Sequence, residues 1–327
     1  MDVIKSSGIK VSVCVITYNQ EQYIDQCIAG IMQQQANFAF EVIVRDDCST
    51  DKTYAILCDI QKNYPSIIKL LDSSINLGSN KNLMRVFDAA EGEYLAICEG
   101  DDYWIDPEKL EKQVAALVTH PTINLCCHPS MIESKGKIRR KKFMGGHSNK
   151  FKILSAYDVV QGNGDFMSTP SLMLRRPAIS SLPAWFGQTP TIDYYLQIYG
   201  SLHNGCVYLP DPMSVYRKNS VNSWSERMQT TSSKITFYLQ FIDFFDQLHL
   251  DLGAKYQYAI QGAQSRAYSG MALTYVNASY KDEFMRYIKL SWSTRSFMSI
   301  PQIIAYSLRH QPWCVKLIYK YARKFLG

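Results

Sequence analysis

Tyr94-Leu95-Ala96-Ile97-Cys98-Glu99-Gly100-Asp101-Asp102-Tyr103-Trp104 joins an apolar run to three carboxylates. The first five residues read as a short, buried β-strand. Gly100 lets the backbone turn where the run ends. The carboxylates therefore arrive together at a strand's carboxyl end, and ligands of open α/β sheets bind just outside such ends. Paired carboxylates repel and need a proton or a cation to coexist. A hard divalent ion such as Mg²⁺ takes one or two carboxylates and shares its other positions with phosphate and water. Taken alone, Asp101-Asp102 also fits a solvated acidic turn, since Asp and Gly are ordinary turn residues.

The flanking sequence repeats the same strand-to-loop pattern. Val11-Ser12-Val13-Cys14-Val15-Ile16 is a nearly continuous apolar run, as in a strand covered on both faces. Thr17-Tyr18-Asn19 ends it, and Asn19 with Gln22 has the spacing of a helix cap. Ile24, Cys27, Ile28 and Ile31 then recur at helical spacing. Glu41-Val42-Ile43-Val44-Arg45 leads into Asp46-Asp47-Cys48-Ser49-Thr50-Asp51, where Ser49 or Thr50 could cap a helix carrying Ile56, Leu57 and Ile60. Ile67-Ile68-Lys69-Leu70-Leu71 reads as a third strand, Asn76-Leu77-Gly78-Ser79-Asn80 as a turn, and Leu83, Met84, Phe87 and Ala90 as a helix face. Strands alternating with helices predict a mostly parallel sheet with helices on both faces. Pro107 opens the next helix, with Leu110, Val114 and Leu117.

Further on, Leu125-Cys126-Cys127-His128 looks like a strand, and residues 135–142 are strongly basic. Such a run is either a solvated face or a mobile lid over phosphate. Thr169-Pro170-Ser171-Leu172-Met173-Leu174, Val207-Tyr208-Leu209-Pro210 and Val215-Tyr216-Arg217 are short apolar pieces, and Asp193 precedes a helical run, Tyr194-Tyr195-Leu196-Gln197-Ile198. After about residue 230 the strands stop. Ile235, Tyr238, Ile242, Phe245 and Leu248 are helically spaced. On the last helix Cys314, Leu317, Ile318, Tyr321 and Phe325 share one face, opposite Lys316, Lys320, Arg323 and Lys324. That pattern fits a helix lying in a membrane interface, or one packed on the protein's own core with its basic side in water. The division expected is 1–228, with a nucleotide half at about 9–120 and an acceptor half at 121–228, followed by a helical region at 229–327.

The chain has 327 residues, 46% hydrophobic and 20% charged, which is too apolar for disorder. A net charge of +6 suits an anionic ligand or membrane surface. No basic segment interleaved with aromatics for base stacking stands out, so nucleic acid is not an expected partner. The nine cysteines are scattered, without zinc-site spacing, as in a reducing compartment. No signal peptide and no spanning helix are evident, so a cytoplasmic protein, soluble or peripheral on the inner face of the membrane, is expected.

Val11 to Asn19, the Asp-Asp-x-Ser-Thr-Asp pattern of Asp46 to Asp51, Asn76-Leu77-Gly78, and Gly92 to Trp104 together resemble the family-2 glycosyltransferases of the GT-A fold, of the bacterial cell-surface polysaccharide type. The resemblance implies a Rossmann-like nucleotide-binding half, here with an α-helical C-terminal extension. It implies that Ile16, Thr17 and Tyr18 flank the donor base and that Asp47, with Asp46, hydrogen-bonds it. Asn80 joins the substrate-binding set. Asp102 would be the metal ligand, with Asp101 towards the ribose or the ion, and Mn²⁺ or Mg²⁺ the cofactor. Glu99 could support them or be solvated. In inverting members a carboxylate about ninety residues beyond the metal motif takes the acceptor proton; Asp193 fits that place, with Asp165 as competitor. Arg217 would pair with the diphosphate or, since Lys218 stands where the family often has His, form a structural salt bridge. Cys48 replaces the family's usual Gly, which would strain a position of positive φ.

The function implied is transfer of one sugar from a nucleotide-sugar donor, in the first place a UDP-sugar, to a hydroxyl of a glycan acceptor, often lipid-linked. The Gln-x-x-Arg-Trp segment of processive synthases is absent, since Ser223 precedes Trp224. Three alternatives stay open: a non-catalytic sugar-nucleotide or glycan-binding protein of the same fold; within the enzyme class, transfer to a polyprenyl phosphate, already ionised and without need of Asp193; and a nucleotidyltransferase. Against the last, Thr17-Tyr18-Asn19-Gln20 has neither the Gly nor the Lys of a phosphate loop.

Overall fold

The run Val11–Ile16 lies inside an interior strand of the large sheet. In a computed structural model, which describes residues 8–326 without the side chains at 140, 141 and 322–326, β1 (Ile9–Thr17) is parallel to both β2 (Ala39–Asp46) and β4 (Tyr94–Glu99). β2 in turn pairs in parallel with β3 (Ile68–Leu70). Val11, Val13 and Val15 share one core with Ile24, Ile28 and Leu110, while Cys14 on the opposite face is also fully buried. Burial on both faces is why the strand reads as continuous rather than alternating.

The helices between these strands are α1 (Ile24–Met32), α2 (Thr53–Asn63) and α3 (Ser79–Ala89). Beyond β4 come β5 (Tyr103–Trp104), α4 (Lys109–Thr119), β6 (Leu125–Cys127), β7 (Ser130–Ser134), β8 (Lys137–Met144) and β9 (Lys152–Leu154). Then follow α5 (Ala156–Gln161), β10 (Met173–Arg175), α6 (Arg176–Ser180), α7 (Ile192–Ser201), β11 (Cys206–Tyr208), β12 (Ser214–Arg217) and α8 (Trp224–Arg227). The large sheet has the order β3-β2-β1-β4-β10-β6-β11-β9, with β10 antiparallel to both neighbours. Chain order reverses between β1 and β4, so a crevice opens at their carboxyl ends. Thr17 and Glu99 end those two strands.

A second sheet, β5-β12-β7-β8, has the basic run as its edge strand. Lys135 (φ 53°) and Gly136 (φ 70°) make the two-residue turn before it. A Lys-rich edge resists pairing with other chains.

Chain contacts divide the described residues into two units, 8–159 with 164–226 and 160–163 with 227–326. The second is helical. α9 (Thr231–Asn277) is broken at Gly253 (φ 63°), and α10 (Lys281–Thr294), α11 (Ile300–Ser307) and α12 (Pro312–Leu326) follow. Its core holds Met271, Phe284, Ile288, Ala305 and Val315. A buried amide, Gln302, donates to Ser265 Oγ at 3.0 Å and to Ser291 Oγ at 2.9 Å, which satisfies the polar groups where these helices meet.

Two helix starts differ from the sequence reading. α1 begins at Ile24 without a side-chain cap, and Asn19 stands five residues earlier at φ 52°. Its Oδ1 accepts from the Thr50 N–H at 2.7 Å, and its own N–H donates to Ser49 Oγ at 2.8 Å. α2 begins at Thr53, whose N–H donates to Asp51 Oδ1 at 2.9 Å. Asn19, Ser49 and Thr50 thus tie the loops after β1 and β2 to each other instead of capping helices. Local spacing cannot distinguish the two uses, because both satisfy a backbone N–H with a short polar side chain.

Cys48 does adopt the left-handed conformation, at φ 65°. An L-residue there costs about 1–2 kcal/mol, against about 0.5–1 kcal/mol of chain entropy that Gly would lose on folding. Cys48→Gly is therefore expected to raise the melting temperature by a few degrees in a thermal scan, and Cys48→Val to lower it.

Candidate active site

The turn after β4 is built by close approach. Gly100 N–H donates to Ile16 O at 2.9 Å, and a Cβ on Gly100 would stand 2.4 Å from Gln20 Oε1 and 2.6 Å from Thr17 Oγ1. No larger residue fits unless these side chains move. Thr17 Oγ1 donates to Gln20 Oε1 at 2.7 Å, and Thr17 O accepts from Asp47 N–H at 2.9 Å. Ile16 and Thr17 are buried, with Tyr18 partly exposed beyond them.

This turn brings Glu99, Asp101 and Asp102 together, one oxygen from each within 4.8 Å of the others. Asp102 is fully buried. Its Oδ1 accepts from the Arg217 backbone N–H at 2.7 Å, and its Oδ2 has no hydrogen-bond partner. Asp101 Oδ2 accepts from Ser220 Oγ at 2.6 Å. Burial pushes the Asp102 carboxyl well above the usual carboxylate range, and the charges of Asp101 and Glu99 push it further. Burial raises Asp101 too, against the hydrogen bond from Ser220 and the charge of Arg217. An orphaned, buried carboxylate oxygen among two other carboxylates is the donor set of a hard divalent cation, so these residues fit Mg²⁺ or Mn²⁺.

Three residues expected at the substrate also hold the protein's own groups. Asp46 is buried; one oxygen accepts from Ser49 Oγ and the other from Ser49 N–H at 2.9 Å, closing the turn after β2. Asp47 Oδ1 accepts from Leu77 N–H at 2.7 Å and from Arg45 at 3.0 Å, and its Oδ2 from Gly78 N–H at 2.8 Å. That leaves one of its four acceptor positions. Arg217 is buried among groups of the protein. Its guanidinium donates to Asp101 O at 2.7 Å and to Gln26 Oε1, and lies 4.4 Å from the Tyr103 ring centroid. Its Nε sits 3.5 Å from Glu133 Oε1. The buried Arg217 therefore clamps the acidic turn. Arg217→Ala is expected to destabilise the fold by about 3 kcal/mol or more, since it strips a buried charge pair of one partner. Chemical denaturation would register this as an early unfolding midpoint; a mere diphosphate contact would leave the midpoint in place.

Asp193 stands outside the acidic cluster, in the first turn of α7. Its Oδ1 accepts from Thr191 Oγ1 and from Tyr194 N–H at 2.8 Å. Its Oδ2 faces Gly164, where a Cβ would come within 3.1 Å. Burial, with the nearby charge of Asp165, pushes its pKa up to about 6. Asp165 itself is exposed in a 3₁₀ turn, Gly164–Phe166. Asn80 donates to Thr189 O, and to Thr189 Oγ1 at 3.1 Å. It thereby joins the start of α3, fixed by Asp47 through Gly78, to the segment that leads into Asp193.

Gln20, Ser220, Thr191 and Gly164 were not singled out from the sequence. Ser220 lies 119 residues from the carboxylate it meets, and no periodicity marks such a pair. Thr191, two residues before Asp193, had the signal of a helix-start hydroxyl.

The family model for glycosyl transferase family 2 matches residues 12–182. An uncharacterised protein of Mycobacterium tuberculosis is 36% identical over 219 residues, covering 65% of this chain and 60% of that relative. The chain thus spans about 60% of the length of the curated relatives it matches first. Among solved structures, a fragment of Staphylococcus aureus TarS in complex with UDP-GlcNAc has a TM-score of 0.56 at 18% identity, covering 84% of this chain and 89% of that one. The Pyrobaculum calidifontis mannosyltransferase PcManGT, in complex with GDP-Man and Mn²⁺, has a TM-score of 0.59 at 16% identity, covering 95% and 87%. At these identities the likeness to both structures is one of fold.

Proposed function

The chain belongs to glycosyl transferase family 2, and from that premise we propose that it moves one sugar from a nucleotide-sugar donor to a glycan hydroxyl, with inversion and with a divalent cation. The observation that carries this reading is the unpartnered, buried Oδ2 of Asp102 beside Asp101 and Glu99. Asp102 and Asp101 would hold Mn²⁺ or Mg²⁺, with Glu99 in support. Bound there, the cation would neutralise the charge developing on the leaving diphosphate.

Ile16, Thr17 and Tyr18 line the donor side, and the remaining acceptor position of Asp47 takes a base N–H. Asp193 Oδ2 accepts the proton of the acceptor hydroxyl. The acceptor's own hydroxyl oxygen forms the new bond to the anomeric carbon from the face opposite the diphosphate, whose C–O bond breaks as the electron pair leaves with it. The proton stays on Asp193 until solvent removes it. Asn80 and Thr191 hold the segment that carries this base.

A UDP-sugar is the first donor to test, because one structural neighbour is complexed with UDP-GlcNAc; GDP-Man, held with Mn²⁺ by another, is the second. A lipid-linked glycan at the inner face of a bacterial membrane is the acceptor class. The decisive experiment is thermal melting with UDP, GDP, CDP and dTDP, each with and without Mn²⁺. A ligand at a hundred times its Kd stabilises by about 2.7 kcal/mol. One nucleotide should raise the melting temperature, and only with the ion. No shift with any nucleotide would sink the proposal.

A further inference from the structure

The last helix shows solvent a face that the unit's own core leaves uncovered. Within α12, Val315 is 2% exposed and Tyr319 packs on the same core. Trp313, Leu317 and Tyr321 follow one another at four-residue spacing and are 67%, 48% and 56% exposed, with Ile318 beside them. The apolar face marked from the sequence through Leu317, Ile318 and Tyr321 is therefore turned outward, not into the protein. Phe325, Arg323 and Lys324 lie outside the described side chains. Lys316 and Lys320, expected from the sequence opposite the apolar face, do not stand there: at 100° per residue they lie along one flank of the Trp313–Leu317–Tyr321 stripe, and both are exposed. Lys316 Nζ donates to Ser279 Oγ at 2.8 Å. α12 contains no Asp or Glu.

We propose that this face docks in the headgroup layer of an anionic bilayer. Leu317 and Ile318 would enter the acyl boundary, Trp313 and Tyr321 would sit at headgroup depth, and Lys316 and Lys320 would meet lipid phosphates. Trp and Tyr favour that layer because one end of each side chain is apolar and the other polar. Lysines beside an apolar stripe extend their ammonium groups to the interface. Charge also selects the occupant. A second copy of the same face would set lysine against lysine, with no carboxylate on either helix to offset them. Anionic lipid supplies the missing sign at about 1 kcal/mol per lysine. No described helix is long and apolar enough to cross a membrane, so the docking is parallel to the surface.

The inference stands apart from the catalytic proposal and is tested without turnover. The full chain is sedimented with vesicles of phosphatidylcholine, and of phosphatidylcholine with one quarter phosphatidylglycerol. It should pellet with the anionic vesicles only, and should be released by high salt. Lys316→Gln with Lys320→Gln should weaken partitioning roughly thirtyfold, the product of two such lysine contributions. Leu317→Asp should abolish it, with unchanged melting temperature since the side chain is half exposed. Tryptophan emission should shift to the blue on binding, and should not in Trp313→Phe. A native chain that stays in the supernatant overturns the proposal. So do variants that partition like the native chain, and so does a concentration-dependent dimer that Leu317→Asp dissolves, which would make a second copy the occupant.

Discussion

Asp102→Asn should lower sugar transfer by on the order of a thousandfold, the scale seen when charge stabilisation at a leaving group is removed. The same substitution should not lower the melting temperature in chelator. Asp102 is buried, its Oδ2 has no partner, and its neighbours are carboxylates, so an ionised Asp102 burdens the metal-free fold. Asn keeps an oxygen for the Arg217 N–H, which now donates to Oδ1, and carries no charge. Wild type should gain several degrees from Mn²⁺ and the variant none.

The pH dependence has a definite sign. Asp101 and Asp102 both titrate above their ordinary value, so the folded state favours their protonated forms. Without a cation, stability should therefore fall as pH rises from the usual carboxylate range through their folded titrations. A bound divalent ion should remove that decline. Melting curves in chelator that are flat between pH 4 and 8 would contradict the buried-carboxylate account of the site.

Asp193→Asn carries the second large effect. Loss of a positioned general base costs typically 10²–10⁴-fold, and nothing in the acidic cluster touches this residue, so donor and Mn²⁺ affinity should persist. The wild-type rate should fall below about pH 6, where Asp193 takes up its proton. The residual rate of the variant should lack that limb. A variant with native turnover on a hydroxyl acceptor would remove Asp193 from the mechanism. It would also favour an acceptor that is already ionised, such as a polyprenyl phosphate. Binding of donor without any wild-type turnover would favour the non-catalytic alternative.

Much of the fold was legible because burial on two faces leaves a direct mark. β1, β2 and β4 read as continuous apolar runs, and α1 and α4 as 3.6-residue repeats, since each of those patterns is imposed residue by residue along one element. The acidic turn was legible for a similar reason: its three carboxylates are neighbours in the chain. Arg217 shows where that legibility stops. The sequence offered it a diphosphate contact or a salt bridge, but the direction of its guanidinium depends on Tyr103, Gln26 and Glu133, which arrive from three other segments.

By itself, then, the sequence determined the parallel nucleotide-type sheet, the acidic turn after its fourth strand and the basic amphipathic end. The tertiary structure decided what those groups face. It assigned Asp46, most of Asp47 and Arg217 to holding loops, left one oxygen of Asp102 bare, set Asn80 against the approach to Asp193, and turned Trp313 and Leu317 outward. The reason is physical: periodicity records whether a residue meets core or water, whereas hydrogen-bond partners are chosen by chain segments a hundred residues apart that only folding brings within three ångströms.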